Sequence, residues 1–347
     1  MTTISAGLPQ NVLSPSATAN TGAQMQAGKT VLPAPLADTS PLAGSTMSPA
    51  GLLIKDAVAR LASQQNGAAL LFADLEVAAE RTDLPQAVRV AAQAVLSLRV
   101  GALKADALKN AVLRSGLFTE AMLASGNAPT GDMKLALLSL RQTLQGWLGT
   151  SGSERAPATS LPPPHRGAVP IAQQPALPSI AMLDARAAGL HLLAETDGAL
   201  ARQTLLQIAS VSDAIGRQPQ TDAPVKLTLD IPIATPLGTA IVQLQVEQDD
   251  ARQQDGEGKS DRTWRINLAI DVEPLGPVRA TVSQVSGQTH VALLAERKDS
   301  AQALRDDLPA LQSALAEAAL DVGDLQCRTG RPQGSPAPAG LFVDRAS

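Results

Sequence analysis

Between Val225 and Ala295 apolar side chains recur at every second position, and this two-residue period limits the fold more than any other feature of the chain. A period of two puts every apolar side chain on one face of an extended strand. Val225, Leu227, Leu229 and Ile231 set the pattern, followed by Val242, Leu244 and Val246. Trp264, Ile266, Leu268 and Ile270 give the cleanest alternation, then Val278, Ala280 and Val282, and, after a turn at Ser286-Gly287, Val291, Leu293 and Ala295. From Asp299 to Leu320 the period becomes helical through Leu304, Leu308, Leu311 and Leu315, with Pro309 predicting a kink or restart. Leu325 and Cys327 predict a last short strand. Strands joined by short turns and followed by a helix predict an α+β domain over residues 222–329, with a largely antiparallel sheet and a Leu-rich helix.

Upstream the period is helical, and residues 49–150 read as a separate all-α N-terminal domain of four or five short helices. Leu53, Ala57, Val58 and Leu61 share a face, and Leu70, Phe72, Leu75 and Val77 mark the next helix. Thr82-Asp83-Leu84-Pro85 reads as a helix start with a capping side chain ahead of a first-turn proline. Val88, Ala91, Val95 and Leu98 follow, and Gly101 closes that run. Further helices are expected from about Asp106 to Ser115, from Leu117-Phe118 through Leu123, and after Asp132 as cap. Residues 151–178 read as a Pro-rich linker and residues 179–217 as a helix that Gly198 divides. Residues 1–48 hold only Lys29 and Asp38 as charges amid Pro, Ser, Thr, Ala and Gly, so this segment is expected to be disordered, like the tail 330–347.

Composition narrows the function classes. Aromatics make up 1% of the 347 residues, so the cores are Leu, Val, Ile and Ala, and modest stability is expected. A net charge of −4 without a basic patch argues against nucleic acid. Apolar runs such as Ala68–Ala73 fall short of the roughly 18–20 residues that span a bilayer, so no membrane insertion is expected. Met1–Gln10 lacks the basic cluster and apolar stretch of a usual secretory signal. The one cysteine, Cys327, forms no internal disulfide, which fits a reducing compartment.

No reaction centre is legible. His165, His191 and His290 show no partner ligand at a spacing such as His-Glu-x-x-His and read as solvated surface. Cys327 reads as a small core hydrophobe. Gly258-Lys259-Ser260 resembles the end of a phosphate loop, but Gln253 replaces the required earlier glycine and a strand follows. Asp249-Asp250 and Asp306-Asp307 are adjacent in sequence, so each pair diverges on a helix or a strand. The chain is therefore read as non-enzymatic, with no catalytic, cofactor-binding or metal residues and no cofactor. Pro236-Leu237-Gly238 and Pro274-Leu275-Gly276-Pro277 each join one alternating strand to the next and read as hairpin turns.

The run Trp264–Ile270, the turn Pro274-Leu275-Gly276-Pro277, Val291–Glu296, the Leu304–Leu315 helix and Val322–Leu325, in this order, resemble the C-terminal domain of flagellar hook-length control proteins. Ser115–Phe118 and Asp132–Leu138 are similar to a segment upstream in some members. The resemblance implies a protein that controls hook length and switches type III export from hook to filament substrates by protein-protein interaction. It implies a cytoplasmic protein then exported through the flagellar apparatus. It further implies two partners, the cytoplasmic domain of the membrane-bound export-switch protein and hook or hook-cap subunits. The family's Pro-x-Leu-Gly-type motif is implicated in switching, which makes Pro274, Leu275, Gly276 and Pro277 the candidate partner-binding residues; here Pro274 directly precedes Leu275. Fully extended at ~3.3 Å per residue, residues 1–48 reach ~160 Å and the whole chain ~1,100 Å. The competing expectation is an adaptor or scaffold of a secretion apparatus that stays in the cytoplasm.

Overall fold

The computed structural model describes residues 49–101, 104–126, 131–149, 161–165, 167–210, 226–249 and 263–331, all within one compact unit, Met47–Ser347. The expected N-terminal segment, the far tail and the Gly258-Lys259-Ser260 stretch lie outside them. Among the described residues seven helices precede the sheet: α1 (Pro49–Gln64), α2 (Ala68–Glu80), α3 (Gln86–Leu96), α4 (Ala105–Leu113), α5 (Thr119–Ala124), α6 (Met133–Leu148) and α7 (Ala185–Ser210). Then come β1 (Lys226–Thr235), β2 (Gly238–Asp249), β3 (Thr263–Val272), β4 (Gly276–Val285), β5 (Gln288–Ala295), α8 (Lys298–Asp306), α9 (Leu308–Glu317) and β6 (Asp321–Thr329). The expected class holds: a helical N-terminal part and a six-stranded, largely antiparallel sheet.

Leucine, valine and alanine fill the helical core, as the shortage of aromatics requires. Leu75, Val88, Val95, Leu140, Leu144, Leu192 and Leu193 are each fully buried. Asp132 caps α6, its carboxylate accepting from Leu135 N at 3.1 Å. The expected cap ahead of α3 does not form. Pro85 occupies the cap position without a side-chain bond, while Asp83 pairs with Arg81 at 2.5 Å. Nor does Gly198 divide α7, which runs unbroken. A Cβ there would lie 2.8 Å from Asn66 Cβ, and Gly198 O accepts from Asn66 N at 3.1 Å, so the missing side chain admits a neighbouring chain. Residues 50–150 share their core with α7, since Leu192 and Leu193 belong to the same cluster as Leu140 and Leu144.

In the sheet the strands lie in chain order. Neighbours are antiparallel except β5 and β6, whose parallel pairing requires the α8–α9 crossover. Asp307 separates α8 from α9 and Pro309 sits in the first turn of α9, so the proline marks a restart. The apolar face carries Leu229, Ile231 and Leu244 beneath Ala107, Ala111 and Val112 of α4. Farther along it, Val278 and Ala295 lie beneath Ala301 and Leu304 of α8. On the opposite face Ile241 joins the helical core. Backbone bonds from Val100 N to Pro232 O (2.9 Å) and from Ala234 N to Val100 O (3.0 Å) cover the β1 edge.

The described part of the Pro-rich linker follows an extended path pinned by side-chain amides. Gln173 Oε1 accepts from Ala68 N at 2.8 Å, satisfying the start of α2, while its Nε2 donates to Asp230 at 2.8 Å. Ile171 N donates to Gln243 Oε1 at 2.8 Å, and Gln245 Nε2 donates to Ala168 O at 3.2 Å. Buried Arg202 of α7 donates to Asp230 of β1 at 2.6 Å. Strap, helix and sheet therefore meet on one carboxylate.

Candidate functional site

Register fixes the β3–β4 turn: Val272 pairs with Gly276, leaving Glu273, Pro274 and Leu275 to reverse the chain. The Glu273–Pro274 peptide is cis. Gly276 has φ +69°, and a Cβ there would lie 2.5 Å from Arg297 Nε, so both backbone and space call for glycine. Arg297, just past β5, donates to both Glu273 carboxylate oxygens at 2.9 and 2.8 Å and to Pro274 O at 2.9 Å. Ser300 Oγ donates to Leu275 O at 2.7 Å, and Glu296 N donates to Pro277 O at 3.2 Å. The turn is thus fastened to the start of α8.

The Arg297 guanidinium holds the Glu273 carboxyl below the usual carboxylate range and is itself pushed up by that hydrogen bond. Such a pair offers a fixed shape rather than a proton donor. The four candidate residues play different parts. Pro274 is exposed; Leu275 and Pro277 are half-buried; Gly276 is buried. Leu275 packs against the buried cluster of Val278, Ala295 and Ala301. Beside the turn, a recess on the opposite face is lined by Asp271, Pro277, Arg279 and Glu296 together with Ile171 of the strap. Burial raises the Asp271 carboxyl and lowers the Arg279 guanidinium.

The histidines lie in three different places. His165 belongs to the strap. His290 on β5 is half-buried rather than solvated: its Nδ1 accepts from Asp324 N at 3.0 Å, and its ring fills the space a Cβ on Gly323 would need. Cys327 is half-buried with its Sγ 3.4 Å from Ala301 O, and burial raises its thiol, consistent with a core role. Asp306 accepts from Gln302 Nε2 at 2.9 Å on the exposed side of α8.

His191 corrects the sequence reading. Glu195 stands one helical turn later on α7, and α2 brings Asp74 against both. His191 Nε2 lies 3.2 Å from Glu195 Oε1 and 3.9 Å from Asp74 Oδ2. Asp74 accepts from Ser179 N at 2.5 Å, Ile180 N at 3.2 Å and Ser179 Oγ at 2.6 Å, and that hydroxyl lies 2.8 Å from His191 Nε2. Burial, followed by the charge of nearby Asp74, pushes Glu195 up to about 9. The i, i+4 spacing of His191 and Glu195 was visible in the sequence. The arrival of Asp74 from about 120 positions away was not.

Compared with protein families, residues 252–336 match the family described as flagellar hook-length control protein FliK. The matched stretch takes in β3 to β6 with α8 and α9, and therefore the β3–β4 turn, but leaves out β1 and β2. Comparison with curated proteins and with solved structures returned no match.

Proposed function

We propose, from the match of residues 252–336 to the flagellar hook-length control family, that the chain sets the length of the flagellar hook and then switches type III export from hook to filament substrates. The family match carries this reading. It is supported by a turn whose shape is fixed by Arg297 and Ser300 and whose one exposed candidate residue, Pro274, stands at its tip.

The chain acts by contact and not by catalysis. Its β3–β4 turn, through Pro274, Leu275, Gly276 and Pro277, meets the cytoplasmic domain of the membrane-bound export-switch protein. Its upstream part, after threading through the apparatus, meets hook or hook-cap subunits. Among the described residues no helix is long and apolar enough to cross a membrane, which suits a chain that is made in the cytoplasm and exported. Leu275 is partly buried in the α8 contact, so Leu275→Asp would disturb the domain as well as any docking face. Pro274 is the cleaner probe.

Two measurements test the reading. Pro274→Ala is expected to weaken binding to the export-switch cytoplasmic domain; undiminished binding removes the turn from the contact. The intact chain is expected in the culture medium during hook growth. Its retention in cells would instead favour a cytoplasmic adaptor.

A further inference from the structure

We propose that Asp74, His191 and Glu195 form a structural site for a divalent transition-metal ion of the zinc class, where α2, α7 and the turn at residues 179–183 meet. One donor atom from each residue lies within 4.8 Å of the other two. Tetrahedral zinc, with bonds of about 2.0–2.2 Å, holds its donors about 3.2–3.6 Å apart. The 3.2 Å span from His191 to Glu195 already meets this, and the 3.9 Å span to Asp74 needs only a few tenths of an ångström. One imidazole nitrogen with two carboxylates favours zinc over magnesium or calcium, which take oxygen donors and keep more of them.

An independent observation points to a cation rather than to a plain polar cluster. The Glu195 side chain is 1% exposed, and neither of its oxygens accepts a hydrogen bond among the described residues. Buried carboxylates are ordinarily paired or bound to metal, because losing water without replacement is costly. Asp74, fully buried, is already aimed by two backbone N–H groups and the Ser179 hydroxyl, the kind of outer support that metal carboxylates receive. Only the His191 edge approaches the surface, at 23% exposure, so the site is closed and its role is to clamp. It fixes the end of the strap, where Ile180 is fully buried and Arg81 also donates to Ile180 O at 2.7 Å and Leu183 O at 2.9 Å. This inference rests on the helical part alone and stands or falls apart from the hook-length reading.

The test uses the full chain, stripped with a chelator and titrated with Zn2+, with Mg2+ as control. One Zn2+ per chain is expected, with a raised melting temperature that Mg2+ does not reproduce. His191→Ala and Glu195→Gln are each expected to weaken zinc binding by about 10–100-fold. Co2+ in the unaltered chain provides a readout that no variant's folding can confound: a visible absorption band of tetrahedral intensity is expected, and addition of Zn2+ should abolish it. Failure to bind Zn2+, no such band, or an affinity that neither variant lowers would overturn the assignment. In the first two cases Glu195 is a buried neutral acid; in the last the ion sits elsewhere.

Discussion

The two ends of the one sheet are built differently. At the β1–β2 end both faces are covered, by α4 on one side and by α2, α7 and the strap on the other, and Leu229, Ile231 and Ile241 are each 1% exposed. At the β3–β6 end α8 and α9 cover one face thinly: α8 buries only Ser300 and Ala301, and no residue of α9 is fully buried. The family match falls on the second end. Burial on two faces yields a framework, whereas half-covered apolar side chains keep area in reserve for a partner, since apolar surface removed from water is what drives association.

That contrast can be broken by mutation. The largest effect is expected at the hub of the covered end. Arg202→Ala leaves Asp230 buried without its cation and should cost about 3–5 kcal/mol in urea unfolding. A loss under ~1 kcal/mol would mean that Gln173 and Gln243 satisfy the carboxylate unaided. Leu144→Ala, in the helical core, should cost about 2–5 kcal/mol. Leu311→Ala on half-exposed α9 should cost about 1 kcal/mol. Equal losses at the two leucines would erase the difference between the ends.

Proton linkage sharpens it further. Glu195, faced by Asp74 from α2, by His191 on its own helix and by the Ser179 hydroxyl, is pushed up to about 9 when folded, against an ordinary value of 4.5. The metal-free native chain then holds a proton that the unfolded chain has lost. The stability contributed by that proton is fully present below about pH 4.5 and is lost by on the order of 1 kcal/mol per pH unit as pH rises towards about 9. Glu195→Gln should flatten that slope in denaturation series run with chelator. The smallest effect belongs to the exposed Arg297–Glu273 pair. Glu273 is held low when folded, so its contribution is present above the ordinary carboxylate range and fades as pH falls through the folded value. Arg297→Ala should barely move the melting temperature while loosening the turn, seen as faster hydrogen exchange at Leu275 and Gly276.

Much of this architecture was legible because local period decides it. Every strand from Leu227 to Cys327 followed from alternation, and Pro309 marked the break between α8 and α9. Asp132 announced its cap. What escaped depends on residues far apart in the chain. Gln173 reads as a polar residue in a Pro-rich stretch, yet it closes the start of α2 and holds Asp230. Gly198 looks like a helix breaker because its reason for being glycine, the approach of Asn66, lies on another element. The Asp74–His191–Glu195 cluster is half local and half not, and only the local half could have been read. At the β3–β4 turn the sequence singled out Pro274–Pro277, while Arg297 and Ser300, which hold the turn in shape, carried no signal of their own.

The proposed role is that of a gauge and switch of hook assembly. Electron microscopy of hooks from a strain of the source bacterium lacking the gene measures that directly. Hooks of uncontrolled, excessive length without filaments are predicted. Hooks of normal length bearing filaments would contradict it.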